Sequence, residues 1–359
     1  MRSSNAQSTS APATVARPEH VFLIILENKG FAETFGPHSK APYLSGALRK
    51  QGRLLTQYYA TGHFSLDNYI TLISGQAPNP ETQADCIRLY SEFAALGAGL
   101  DHDGQIRGQG CVYPTIVPTL VDQLEQKHLT WRGYMEDMAR PCEHPELNQP
   151  DDHVHAVAGD QYATRHNPFV YFHSIINDAD RCRQHVVALT QLPADLSKVE
   201  TTPNFAFITP NLCNDGHDGP SAICDGGGLV SADRFLAQWV PKIIAAPAYQ
   251  RDGILIITFD EAEVGLRPNH QIDPATTDAR SCCDEPPGPN TAKPGLVGPG
   301  GGRTGALMLS PLIAAGSIDE TPYNHYSMLR GLEDLFGLDH LGYARKSAPT
   351  PLDQFLSRQ

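Results

Sequence analysis

Two continuous apolar runs dominate the hydropathy pattern of this chain. Residues 20–28 read His-Val-Phe-Leu-Ile-Ile-Leu-Glu-Asn, and residues 253–263 read Gly-Ile-Leu-Ile-Ile-Thr-Phe-Asp-Glu-Ala-Glu. Uninterrupted β-branched and aromatic runs of this length mark strands covered on both faces, as in a parallel sheet. Further strands are expected over residues 53–59, from residue 130, over 204–209 and over 305–310. Between them, apolar residues recur at helical spacing. The expected helices cover residues 29–35, 42–51, 66–73, 119–127, 231–245 and 327–336, with Gly337 as the stop of the last. Strands alternating with helices predict an α/β fold with a predominantly parallel central sheet flanked by helices. Two stretches break the periodicity. Residues 76–116 form an excursion bracketed by Cys86 and Cys111, and residues 264–303 a Pro/Gly-rich loop too long for an idle connector.

Composition narrows the class. A chain of 359 residues, 40% of them hydrophobic, buries a large core, and residues 19–359 are expected to form one domain. Residues 1–18, rich in Ser, Ala and Thr without an apolar segment, predict a disordered tail. The formal charge of −13 and the lack of a basic block exclude nucleic acid as a partner, since backbone binding needs clustered Lys and Arg. No apolar run reaches the roughly 20 residues of a membrane span. All eight cysteines avoid the apolar strands, and none forms a Cys-x-x-Cys pair. That pattern predicts a disulfide framework and an oxidising compartment, so a secreted or periplasmic protein. The adjacent Cys282 and Cys283 are expected to tie one loop to two different places.

The candidate chemistry sits at strand ends. Glu27 and Asn28 follow the first apolar run, and Asp260 and Glu261 follow the second. Ligands of open α/β sheets bind outside the carboxyl ends of the strands. Carboxylate and amide oxygens there suit one hard divalent cation: calcium, magnesium or manganese, with zinc the alternative if a histidine joins the set. Each dipeptide alone would equally serve as cap and first-turn acid of a following helix. Two at matching strand ends favour the site. Ser65 lies at the expected N-cap of the 66–73 helix, where the positive dipole end favours an anion. Serine is also a common cap, so the nearby cation is what raises it to a nucleophile. Asn68, one turn on, and His63, two residues before Ser65, are candidates for binding phosphate. Arg303 is either a bidentate phosphate clamp or half of a loop ion pair. His166, His173 and His270 read as surface or structural.

These residues carry a resemblance. Glu-Asn-x-x-Phe after the first strand, Ser65-Leu-Asp-Asn-Tyr69 before a helix, Thr209-Pro-Asn211 and Phe259-Asp-Glu261 occur in an order similar to the bacterial phosphoesterase family of the alkaline phosphatase superfamily. Tyr134-Met-Glu-Asp-Met138, Gly301-Gly-Arg-Thr-Gly-Ala306 and Asn324-His-Tyr-Ser-Met-Leu-Arg330 extend it over residues 20–343. That family includes secreted acid phosphatases and non-specific phospholipases C. The resemblance implies that Glu27, Asn28, Asp260 and Glu261 hold the metal, that Ser65 is the nucleophile and touches it, and that Asn68 binds the phosphoryl group. It places His217 and His325 in the pocket, either able to protonate the leaving group. Asp67 departs from the family's usual proline and bears on substrate preference. The implied activity is an acid-phosphatase-like phosphomonoesterase acting through phosphoserine on a small phosphate ester. Phospholipase C or diesterase action on the same site, and a catalytically silent secreted metal-binding protein, are the alternatives.

Overall fold

The two apolar runs lie side by side as strands His20–Leu26 and Gly253–Phe259, with every residue of both buried, in a computed structural model that describes residues 17–356. The expected disordered tail, residues 1–18, falls outside the described residues except for its last two. From edge to edge, the eight-stranded sheet runs Ser317–Asp319, Arg53–Leu55, Ala306–Leu309, Gly253–Phe259, His20–Leu26, Phe205–Thr209, Trp131–Met135 and Val186–Ala188. Only Ala306–Leu309 runs against its neighbours, so the sheet is predominantly parallel. Residue alternation divides the core. Val21, Leu23 and Ile25 face helices Ser65–Ser74 and His325–Phe336, whereas Phe22, Ile24 and Leu26 face helix Gly228–Ala245. Apolar residues on both faces are what an uninterrupted run requires.

Several elements differ from the sequence expectation. Residues 42–51 wind as a wide π turn, Tyr43–Leu48, whose first amides donate to the Asp233 carboxylate at 3.0 and 2.8 Å. The 53–59 run breaks in two, and its second piece, Tyr58–Tyr59, pairs with Tyr323–Asn324 outside the main sheet. The 76–116 excursion contains a ribbon, Ala94–Leu100 with Ile106–Gln109. Its first strand is almost wholly exposed, so it has no buried face and leaves no alternation in the sequence.

The cysteines form four disulfides: Cys86–Cys111, Cys142–Cys182, Cys213–Cys224 and Cys282–Cys283. The last corrects the expectation that the adjacent pair ties its loop to two places. The other six cysteines are consumed within their own excursions, which leaves Cys282 and Cys283 only each other.

Candidate active site

The site begins with register. Leu26 pairs with Phe259, so the next residues, Glu27 and Asp260, leave the sheet side by side. The Asp260 amide donates to Leu26 O at 2.8 Å and the Glu27 amide to Asp215 O at 2.9 Å. Two neighbouring strands and the loop after a third thereby deliver acids to one place. Asn28 turns the chain sharply with φ 55°, a left-handed conformation that asparagine tolerates better than most residues. Its amide donates to Asp260 Oδ1 at 2.9 Å. Glu27, Asp260 and Glu261 are fully buried. Burial, followed by Asp260 and Asp215, raises the Glu27 pKa well above the carboxylate range, and burial lifts Asp260 to about 7.

Ser65 opens helix Ser65–Ser74 as its first residue, not as its cap; Phe64 precedes it and offers no capping side chain. The Ser65 hydroxyl donates to Glu27 Oε2 at 2.7 Å. One turn later Tyr69 donates its hydroxyl to Glu27 Oε1, because residues four apart share a helix face. The helix N-terminus does not wait for an anion. Asp85, beside Cys86 in the disulfide-pinned excursion, accepts from the Leu66 amide at 2.9 Å.

The other expected residues take varied positions. Asn68 spends its amide on the preceding loop: Oδ1 accepts from the Thr61 and Gly62 amides, both at 3.0 Å, and Nδ2 donates to Gly62 O and Phe64 O at 2.9 and 3.0 Å. It braces the turn that presents Ser65. His63 is buried between the Glu261 carboxylate and Asp278 O, and burial lowers its pKa to about 4. His325 is buried with both nitrogens engaged, Nδ1 with the Tyr58 hydroxyl at 3.0 Å and Nε2 with Asp260 O at 2.6 Å. It therefore fixes the Asp260 strand end. His217 is the open one, its side chain 49% exposed. The Arg303 guanidinium lies over the Phe31 ring at 4.2 Å, away from the cavity lining. Asp67 is buried with neither carboxylate oxygen partnered.

Five residues here were not expected from the sequence. His166, expected to be surface or structural, is buried at the site, stacked on Tyr69 at 5.4 Å with Nε2 3.3 Å from Glu27 Oε2 and Nδ1 3.8 Å from Asp215 Oδ2. Asp215 is buried beside Glu27, and its Oδ1 accepts from the His217 amide at 2.8 Å. Asp85 and Arg165 complete the set. Tyr69 had a readable signal in its spacing from Ser65. The others depend on long loops returning to the sheet. Ser65, Asn28 and Glu261 open onto a cavity of about 370 Å³ that Asp85, Arg165 and His217 also line.

The donor set suits a hard divalent cation. Asp260 Oδ2, Glu261 Oε1 and Asp215 Oδ2 are buried without a hydrogen-bond partner, acceptors of the kind a cation would satisfy. Among the described residues, no three His, Cys, Asp or Glu side chains form a ready ligand cage. Oxygens of Asn28 and Ser65 would complete the shell begun by Glu27, Asp260 and Glu261.

A model of the phosphoesterase family matches residues 39–339. A phosphate-repressible acid phosphatase of Penicillium chrysogenum is 30% identical over 295 residues, which is 82% of this chain and 54% of that protein. An acid phosphatase of Aspergillus fumigatus is 25% identical over 82% of this chain and 51% of its own length. The chain thus spans about half the length of these relatives. A phosphatidylinositol-3-phosphatase of Mycobacterium tuberculosis is 22% identical over 92% of this chain and 81% of its own. In fold, the chain is similar to a protein in the alkaline phosphatase superfamily from Vibrio parahaemolyticus, with a TM-score of 0.51 and 13% identity over 93% of this chain and 72% of the other. Fungal relatives widen the resemblance from a bacterial group to the whole family. With the family model covering most of its length, the chain belongs to the phosphoesterase family.

Proposed function

We propose that the chain hydrolyses phosphoric monoesters through a phosphoserine at Ser65, with one divalent metal ion held by Glu27, Asn28, Asp260 and Glu261 and touched by Ser65. The observation that carries this reading is the Ser65 hydroxyl, which opens on the cavity and is aimed at the acids of two strand ends by its 2.7 Å bond to Glu27. The names of the relatives, acid phosphatase and phosphatidylinositol-3-phosphatase, support a phosphatase. The four disulfides support a secreted or periplasmic setting.

Bound among these oxygens, the cation supplies a lowered hydroxyl pKa and neutralises charge on the phosphoryl group. Glu27 and Tyr69 orient the Ser65 oxygen, and the hydroxyl proton lies toward Glu27 Oε2. Ser65 Oγ bonds to phosphorus as the ester P–O bond breaks, its proton passing to Glu27 Oε2. His217, on the open side of the cavity, gives its proton to the leaving alkoxide. Water then attacks the phosphoserine and gives a proton to His217, and the proton on Glu27 returns to Ser65 Oγ as its bond to phosphorus breaks and inorganic phosphate leaves. Burial lowers the His217 pKa from its ordinary value, so its acid form persists only in acidic medium, and the rate is expected to fall as pH rises towards neutrality.

Acid quenching during turnover of a phosphorus-labelled aryl phosphate should trap label on Ser65. Ser65→Ala should lose at least about a thousandfold in kcat and keep the wild-type circular dichroism spectrum. A folded Ala variant with most of its activity, or label on another residue, would overturn the assignment.

A further inference from the structure

We propose that Arg165 binds the non-bridging oxygens of the phosphoryl group and is the residue by which the site prefers monoesters to diesters. The inference deepens the reading of the site as a phosphatase and rests on it. The cavity beside Ser65 is lined by three acids, Asp85, Glu261 and Glu263, and a doubly charged monoester entering it meets their repulsion. Among the lining residues Arg165 is the one guanidinium, and none is a lysine. Lys29 is drawn to Glu263 and Glu33, at 3.4 and 3.8 Å, and Arg303 is turned onto Phe31. A permanent positive charge for the substrate comes from Arg165.

Its placement is built. Residues Thr164–His166 form a short turn whose next residue, His166, packs on Tyr69 and reaches Glu27, so the turn is anchored to the nucleophile's own helix and base. The Arg165 side chain is 11% exposed, and Nη1 donates to Val154 O at 3.1 Å. Nε stands 3.8 Å from Asp85 Oδ2, beyond hydrogen-bonding distance, so the fork keeps N–H donors for an incoming oxyanion. Asp85 in turn accepts from the Leu66 amide, next to Ser65. The arginine is thereby held in fixed relation to the nucleophile, with its planar fork matched to two phosphoryl oxygens. A monoester dianion presents more charge and one more free oxygen than a diester, so it gains more from this contact.

A mere ion pair between Arg165 and Asp85 predicts something different, and substrate comparison separates the two. Steady-state kinetics would be run on an aryl phosphate and on its methyl aryl diester with wild type, Arg165→Gln and Arg165→Lys, alongside calorimetric binding of inorganic phosphate. Charge-assisted bonds of this kind correspond to roughly 10–150-fold. Arg165→Gln should therefore lower monoester kcat/KM by about 100-fold and weaken phosphate binding similarly, with a diester loss of no more than about 10-fold. Arg165→Lys, which keeps the charge and loses the fork, should fall between. Equal losses on both esters, or phosphate binding unchanged in either variant, would overturn the proposal. If Arg165→Gln fails to fold, the Lys variant decides by the same ratio. Should wild type hydrolyse neither ester, the phosphatase reading fails, and the phosphate titration still reads Arg165 by itself.

Discussion

At the scale of residues, one carboxylate organises the site. Glu27 accepts from Ser65, Tyr69 and Asn28 and lies against His166, so four side chains from three separate segments meet on it. Asp260 does the complementary work, accepting the Asn28 and Glu261 amides on Oδ1 while Oδ2 is left free. If that free oxygen takes part in a cation shell, removing its charge must weaken metal binding as well as rate. Asp260→Asn and Glu27→Gln are each expected to lower metal content per chain in elemental analysis and kcat together. Full metal content in both inactive proteins would show that these carboxylates do other work. The strand-end acids were legible in the sequence because each ends an apolar run. Asp215 and His166 were not, because nothing local distinguishes a loop acid or histidine that folds back from one that faces water.

At the scale of elements, helix His325–Phe336 shows how packing sets charge. Asn324 and Ser327 form its capping box, which starts the helix two residues before the expected position, and Gly337, with φ 66°, is the stop expected from residue type. Glu333 on the same helix is buried, accepts from the Leu341 amide at 2.8 Å, and has its second oxygen unpartnered. Burial raises its pKa from 4.5 to about 9. The folded state therefore keeps a proton there that the unfolded chain releases above about pH 4.5, so this group's contribution to stability is lost as pH rises towards 9. Glu333→Gln keeps the acceptor and removes the titration. Its melting temperature should match wild type near pH 5 and exceed it by several degrees near pH 8.5. An offset of the same size at both pH values would show that Glu333 does not titrate between them.

At the scale of the molecule, disulfides and net charge set the limits. Cys142–Cys182 spans 40 residues and Cys213–Cys224 spans 11. Chain entropy makes the longer closure worth about 4 kcal/mol and the shorter about 3. Denaturant titration of the two double-serine variants should rank them in that order, and the unreduced denatured protein should show no free thiol. Most of the eight cysteines titrating as free would remove the framework. The charge of −13 opposes approach to anionic membranes, screened over about 8 Å in physiological salt. Turnover of a water-soluble monoester should accordingly exceed diacylglycerol release from vesicles rich in an anionic phospholipid at matched concentration. Faster vesicle turnover at every ionic strength would move the activity to the phospholipase side.

Sequence alone determined the alternation of buried strands and amphipathic helices, and with it the sheet class, because burial on two faces or one face imposes its period on neighbouring residues. It also determined the positions of Glu27, Asn28, Asp260, Glu261 and Ser65, since strand ends and helix starts are local events. Tertiary structure alone decided which acids share a site. The Leu26–Phe259 register brings Glu27 beside Asp260, and loops from residues 85, 165 and 215 close over them. It also turned Arg303 onto Phe31, committed Asn68 to its own loop, and joined Cys282 to Cys283. Each of these depends on contacts between segments far apart in the chain, or on which partners the rest of the fold has already taken. Neither leaves a period in the local sequence.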